Sequence, residues 1–152
     1  MLARDMATIV LKKTYRAPIE RVWARIDDHA GMRDWLGAPV KVRGDGGVGT
    51  VRTIGTLVTF DETVVEREPP RRMVYRITRG VPVTHRGEVK LSARDDGGTD
   101  LLWTISIESR IPLFARSIAL VLEPTIARGL DKLATLLDAV SYTHLTLPTN
   151  RE

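Results

Sequence analysis

Cysteine is absent from the 152 residues. That excludes disulfides, thiol nucleophiles and thiolate metal sites, and it fits a reducing, cytoplasmic setting. No apolar run reaches the ~18 residues that a membrane span needs, so no stable membrane insertion is expected. The opening stretch Met1 to Met6 lacks the apolar segment of a signal peptide. Histidine is scarce: His29, His85 and His144 are scattered and no two stand at a ligand spacing such as i, i+4. No metal and no cofactor are expected. There are no internal repeats and no linker.

What is present bounds the rest. The length predicts one domain. A chain of this size buries roughly 68–70% of its unfolded surface, enough for a core or a core with a cavity. Hydrophobic residues make up 43% and charged residues 28%, ordinary for a globular protein and wrong for a mainly disordered or collagen-like one. The net charge is +4 and the isoelectric point is near 9.8. Arg and Lys are nevertheless spread along the chain among Asp and Glu, without the basic face of a nucleic-acid binder. The densest run is Arg67, Arg71 and Arg72 around Pro69-Pro70, broken by Glu66 and Glu68. It reads as a solvated turn.

Thr8 to Tyr15 reads as a strand. Ala17-Pro18 opens a helix in which Ile19, Val22, Trp23 and Ile26 recur at helical spacing. A second short helix fits Ala30 to Trp35. Val40 to Arg43 is a short strand, followed by the glycine loop Gly44 to Gly49. Strands follow at 50–54, 57–68, 73–79, 83–94 and 99–109, the last two joined by the hairpin signal Asp95-Asp-Gly-Gly98. Hairpin connections demand an antiparallel sheet. From Pro112 to Val140 the apolar residues Ala115, Ala119, Leu122, Ile126, Leu130, Leu133, Leu137 and Val140 form one stripe. Such a helix spans ~43 Å at ~1.5 Å per residue, with Pro124 inside it as a kink point. The sheet has one apolar face to cover, and this helix is the element large enough to cover it. Helical periodicity stops at Val140. The Thr-rich remainder 141–152 carries Pro148 and no partner pattern, and reads as a non-native scar or a frayed tail. His144 within it has no role.

This order and several motifs resemble the SRPBCC superfamily, the START-related helix-grip proteins. The resemblance rests on Ala17-Pro-Ile-Glu-Arg-Val-Trp23 with Asp27 and Asp28, Trp35, Gly49-Thr-Val-Arg52, Glu62 through Val65 to Pro69-Pro70, Tyr75, Gly98-Thr99 and Trp103. It covers about residues 7–140, and is strongest to the bacterial polyketide cyclase/dehydrase and lipid-transport group. The glycine loop is also similar to that of birch-pollen-allergen-like proteins. The resemblance implies an α+β helix-grip fold: a curved seven-stranded antiparallel sheet around a long C-terminal helix, with two short helices after the first strand. It also implies a largely apolar cavity for lipids, sterols, polyketides or hormones.

The candidate site follows from strand phase. Val83, His85, Gly87, Val89 and Leu91 alternate with polar Thr84, Arg86, Glu88 and Lys90, so His85 faces the concave side. Met73, Tyr75, Ile77 and Arg79 are in phase on the strand before, and Phe60, Glu62, Val64 and Glu66 on the one before that. A Glu62–Arg79 pair with His85 and Tyr75 nearby would hold the polar end of a ligand, unless bulges shift the register. Trp103 shares phase with Leu101, Ile105 and Ile107 and faces inward, either to fill the core or to stack on a ligand. Trp35 and Met32 lie near the expected mouth, Met32 as an adaptable gate. With Leu122 and Ile126 on the long helix these complete the expected ligand-binding set.

Three functions stay open. The first is binding of a small hydrophobic molecule. The second is a polyketide aromatase/cyclase or dehydratase, with His85 as general base and Tyr75 or Arg79 polarising a carbonyl. The third is a protein-interaction module, against which the polar outward strand positions argue. The glycine loop lacks the Gly-Lys-Ser/Thr ending of a P-loop and lies between strands, so no nucleotide is expected.

Overall fold

Strand β1, Asp5–Tyr15, opens the chain in the computed structural model, which describes residues 4–146, with side chains to residue 139. Helix α1 (Ile19–Asp27) follows, then a single 3-10 turn (Ala30–Met32) and α2 (Arg33–Leu36). Six strands come next: β2 (Val40–Arg43), β3 (Val51–Gly55), β4 (Thr59–Glu68), β5 (Arg72–Arg79), β6 (Thr84–Ala93) and β7 (Thr99–Ser109). Helix α3 (Phe114–Thr146) closes the described chain. The sheet order is β1-β7-β6-β5-β4-β3-β2, and every pairing is antiparallel. This is the expected helix-grip arrangement.

Local chemistry sets the boundaries. The Pro18 carbonyl accepts from the Arg21 and Val22 amides and starts α1, which buries Val22, Trp23 and Ile26. Gly37, at φ +79°, ends α2 in the left-handed conformation that glycine adopts without strain. The α3 start departs from expectation. Leu113 has φ +63°, so the helix begins at Phe114 and Pro112 stays outside it. Asp5 of β1 compensates, its carboxylate accepting from the Arg116 amide (3.1 Å) and pairing with the Arg116 guanidinium (3.0 Å). An anion there satisfies one of the unpaired amides of the helix start. At the other end the α3 backbone continues past Val140 to Thr146. The side-chain expectations for 141–152, His144 included, fall outside the described residues.

The α3 stripe lies on the concave face of the sheet. Leu130, Leu133 and Leu137 are buried with Ile9, Leu101 and Ile105. Burying each such side chain contributes roughly 1.5–3 kcal/mol. Polar ties fix the helix in position: the Tyr15 hydroxyl donates to the Leu130 carbonyl at 2.9 Å, and Lys13 pairs with Asp131. Arg71 is exposed in the turn after Pro70, as expected of a solvated turn, while Arg67 and Arg72 at its flanks are engaged in ion pairs. Arg67 grips Asp27 with two hydrogen bonds (2.6 and 2.8 Å), and Arg72 bonds Glu66, Glu68 and Glu88. No helix among the described residues is long and apolar enough to cross a membrane.

Candidate functional site

The sheet curls away from the first half of α3 and leaves a cavity of about 360 Å³ between them. Phe114, Ile118, Leu122, Thr125 and Ile126 form the helix wall. Ile54, Phe60, Ile77 and Ile107 form the sheet wall, with Val81 and Val83 from the β5–β6 loop. Met32, Leu36 and Ala38 close the side under α2. The volume lies toward the lower end of the range for small-molecule sites, and the lining is apolar with few polar groups.

Those polar groups gather in one place. Arg52 on β3 and Glu62 on β4 are cross-strand partners, and their side chains pair at 2.7 Å while almost fully buried. Arg52 also donates to the Met32 sulfur (3.5 Å), and its guanidinium carbon lies 4.7 Å from the centre of the Tyr75 ring. Its Nε has no hydrogen-bond partner among the described residues. Tyr75 reaches across β6 because Gly87 stands opposite it; a Cβ on Gly87 would come within 2.2 Å of the phenol carbon. The Tyr75 oxygen accepts from Trp103 Nε1 at 2.9 Å. His85 lies beside Tyr75, ring centres 5.4 Å apart, and its Nδ1 accepts from the Ile77 amide at 3.1 Å. The proton of neutral His85 is therefore on Nε2.

Burial dominates the electrostatics. It raises the Glu62 carboxyl above its usual range, against the opposing pull of Arg52. It pushes the Tyr75 phenol up, with the Glu62 charge adding to the effect. It lowers His85 to about 4, with the Arg52 charge acting in the same direction. Around neutral pH the floor thus presents a neutral imidazole and a protonated phenol beside the Arg52–Glu62 pair.

The structure brings Met32, Phe60, Glu62, Tyr75, Ile77, His85, Trp103, Leu122 and Ile126 together on the cavity wall. It does not bring Arg79 there. Two register shifts separate β4 from β5, and the first inserts Thr78 between the residues paired with Asp61 and Glu62. Arg79 accordingly lies on the other face, largely exposed, and binds Asp61 at 2.9 Å. That partner, reinforced by Thr53, holds the Asp61 carboxyl down at about 2. The second shift, at Val65, likewise takes Glu66 out of phase, and it binds Arg72. The expected Glu62–Arg79 pair is thus replaced by Glu62–Arg52. Trp35, Val89 and Ile105 are buried in the core and do not line the cavity; Trp35 packs edge-on against Trp103, ring centres 6.1 Å apart. The Ile77 amide occupies Nδ1 of His85, the lone pair that a general base would use, and leaves Nε2–H facing as a donor. Arg52 was the missed residue. Its signal was present in the alternation of Thr50, Arg52 and Ile54, and in a hairpin that sets it opposite Glu62.

A larger depression, about 930 Å³, lies on the outer face near Lys12, Arg71, Lys90 and Leu102. It is an open groove, and Lys13, Arg72 and Asp100 along it are already committed to ion pairs. It does not have the apolar lining of the inner cavity. Among the described residues no three His, Asp or Glu side chains cluster so as to hold a metal.

Residues 6–138 match the family model described as polyketide cyclase / dehydrase and lipid transport. No functionally curated protein matches the chain. Among solved structures, a solution structure from Thermobifida fusca is 26% identical, with a TM-score of 0.73, over 86% of this chain and 92% of its own. Norcoclaurine synthase from Thalictrum flavum, a point mutant bound to a transition-state analogue, superposes with a TM-score of 0.75 at 14% identity, covering 93% and 99%. The protein Ara h 8.0201 gives 0.71 at 17% identity, covering 89% and 99%. At those last two identities the likeness is one of fold.

Proposed function

The chain belongs to the polyketide cyclase/dehydrase and lipid-transport family, and from that premise we propose that it binds a small hydrophobic molecule, lipid-, sterol- or polyketide-like, in the cavity between the sheet and α3. One observation carries the reading: an apolar cavity of about 360 Å³ between the sheet and α3 whose polar groups collect at a single spot. Apolar lining supplies the driving force for a greasy ligand, and the polar spot orients it. The test is native mass spectrometry of the protein as purified, followed by organic extraction. A discrete added mass that leaves on denaturation supports the reading. Loss of that mass on Ile118→Trp, which fills the cavity, assigns it to this site. A ligand retained at full occupancy in a folded Ile118→Trp protein contradicts the assignment.

A second reading is favoured by one specific feature. Glu62 is a carboxylate with a raised pKa in a cavity that also holds the proton donors Tyr75 and His85. That is the acid–base set an aldol-type cyclase or a dehydratase requires, with Glu62 as the base and the two donors on the carbonyl oxygen. Glu62→Gln tests it. Turnover of a polyketide-like chain by the wild type that disappears in Glu62→Gln, with ligand binding kept, supports catalysis. Equal turnover in both proteins removes Glu62 from it.

A further inference from the structure

The hydrogen-bonding inventory of the cavity floor is one-sided. Tyr75 already accepts from Trp103 Nε1, so its own hydroxyl proton remains to be donated, and no described residue receives it. His85 already accepts at Nδ1 from the Ile77 amide, so Nε2–H remains to be donated. Both side chains are more than nine-tenths buried and both line the cavity. Their rings stand 5.4 Å apart, tilted at 44°. Two neighbouring donors without acceptors are expensive in an apolar enclosure unless something accepts from them. The single acidic group in the lining, Glu62, is already tied to Arg52.

We propose that this floor recognises a neutral carbonyl oxygen, that of a ketone or ester, on the buried end of the ligand, with Tyr75 Oη–H and His85 Nε2–H as the donors. The proposal rests on the hydrophobic-binding function and names its ligand class. A carbonyl oxygen has two lone pairs, which matches two donors side by side. Charge selects the neutral group over a carboxylate. Arg52 already pairs with Glu62 at 2.7 Å, so an incoming carboxylate would have to compete with Glu62 for the same guanidinium inside an apolar cavity. Shape agrees as well: Gly87 leaves the space that lets the phenol lie over β6 and present its oxygen next to Trp103. An analogue without the oxygen would leave both donors unpaired, and sites built in this way reject such analogues strongly.

Three probes of one shape test the proposal on the full chain: 2-acetonaphthone, 2-ethylnaphthalene and 2-naphthoate, compared by equilibrium dialysis at pH 7. The ketone should bind at least tenfold more tightly than the hydrocarbon, with the carboxylate weaker than the ketone. The ketone-to-hydrocarbon ratio should fall toward one in Tyr75→Phe and in His85→Gln. A carbon-13 carbonyl label should show, in the wild-type complex, a stretch at lower frequency than in hexane. Equal binding of ketone and hydrocarbon would overturn the carbonyl inference while leaving the hydrophobic-binding function standing. Tightest binding of 2-naphthoate would overturn the neutral-ligand argument. Failure of all three to bind would remove the binding reading, and this inference with it.

Discussion

Glu62 and Arg52 show what a single buried charge costs and what its partner restores. Removing one member of such a pair leaves the other uncompensated, which typically costs about 3–5 kcal/mol. Glu62→Ala should therefore destabilise by about that amount in urea denaturation, whereas the double change Arg52→Met with Glu62→Leu should recover most of the loss. A double variant as unstable as Glu62→Ala would mean that the pair holds the fold rather than merely balancing itself. His85 gives a pH signature. Its folded pKa is lowered to about 4 from 6.5, so the unfolded chain binds more protons between those values. Stability is full above pH 6.5 and is lost as the pH falls toward 4, by roughly 3 kcal/mol. Glu62 acts in the opposite sense, since its raised pKa means that acid relieves a burial cost. Comparison with His85→Gln isolates the histidine: the wild type should lose stability more steeply over that window. At this scale the sequence was readable where alternation was unbroken, as for His85 on β6. It misled at Arg79, because the inserted Thr78 leaves no trace in composition or period.

Elements proved more legible than side chains. The Asp95–Gly98 hairpin, the strand order implied by successive hairpins, and the stripe of α3 all follow from local chemistry and period. The α3 start did not, because it depends on Asp5, more than a hundred residues away, holding the first turn. The β5–β6 pair carries a requirement that sequence alone hid. Gly87 looks like a weak point in a strand, yet it is the gap through which Tyr75 reaches Trp103. Gly87→Ala should displace the phenol ring, leave Trp103 Nε1 without its acceptor and cost about 1–3 kcal/mol. Thermal unfolding and a shifted Trp emission maximum would register it. A Gly87→Ala protein with unchanged stability and emission would show that Tyr75 does not occupy that position.

On the scale of the whole molecule the helix-grip architecture divides labour along α3. Its second half, around Leu130, Leu133 and Leu137, makes the dry core, while its first half stands off the sheet and roofs the cavity. On the proposed function, stability and ligand binding belong to different parts of one fold. Residues 7–140 are proposed as the folding unit, so a chain ending at Val140 should unfold at the same temperature as the full chain; a clearly lower midpoint would assign a structural role to residues 141–152. The central claim is that ligands enter the inner cavity and not the larger groove on the outer face. The most direct measurement is an amide and methyl NMR titration of the full chain with 2-acetonaphthone. If ligands enter the inner cavity, shifts concentrate at Phe60, Ile77, His85, Ile118 and Leu122. Shifts confined instead to Lys12, Arg71, Lys90 and Leu102 would contradict the claim.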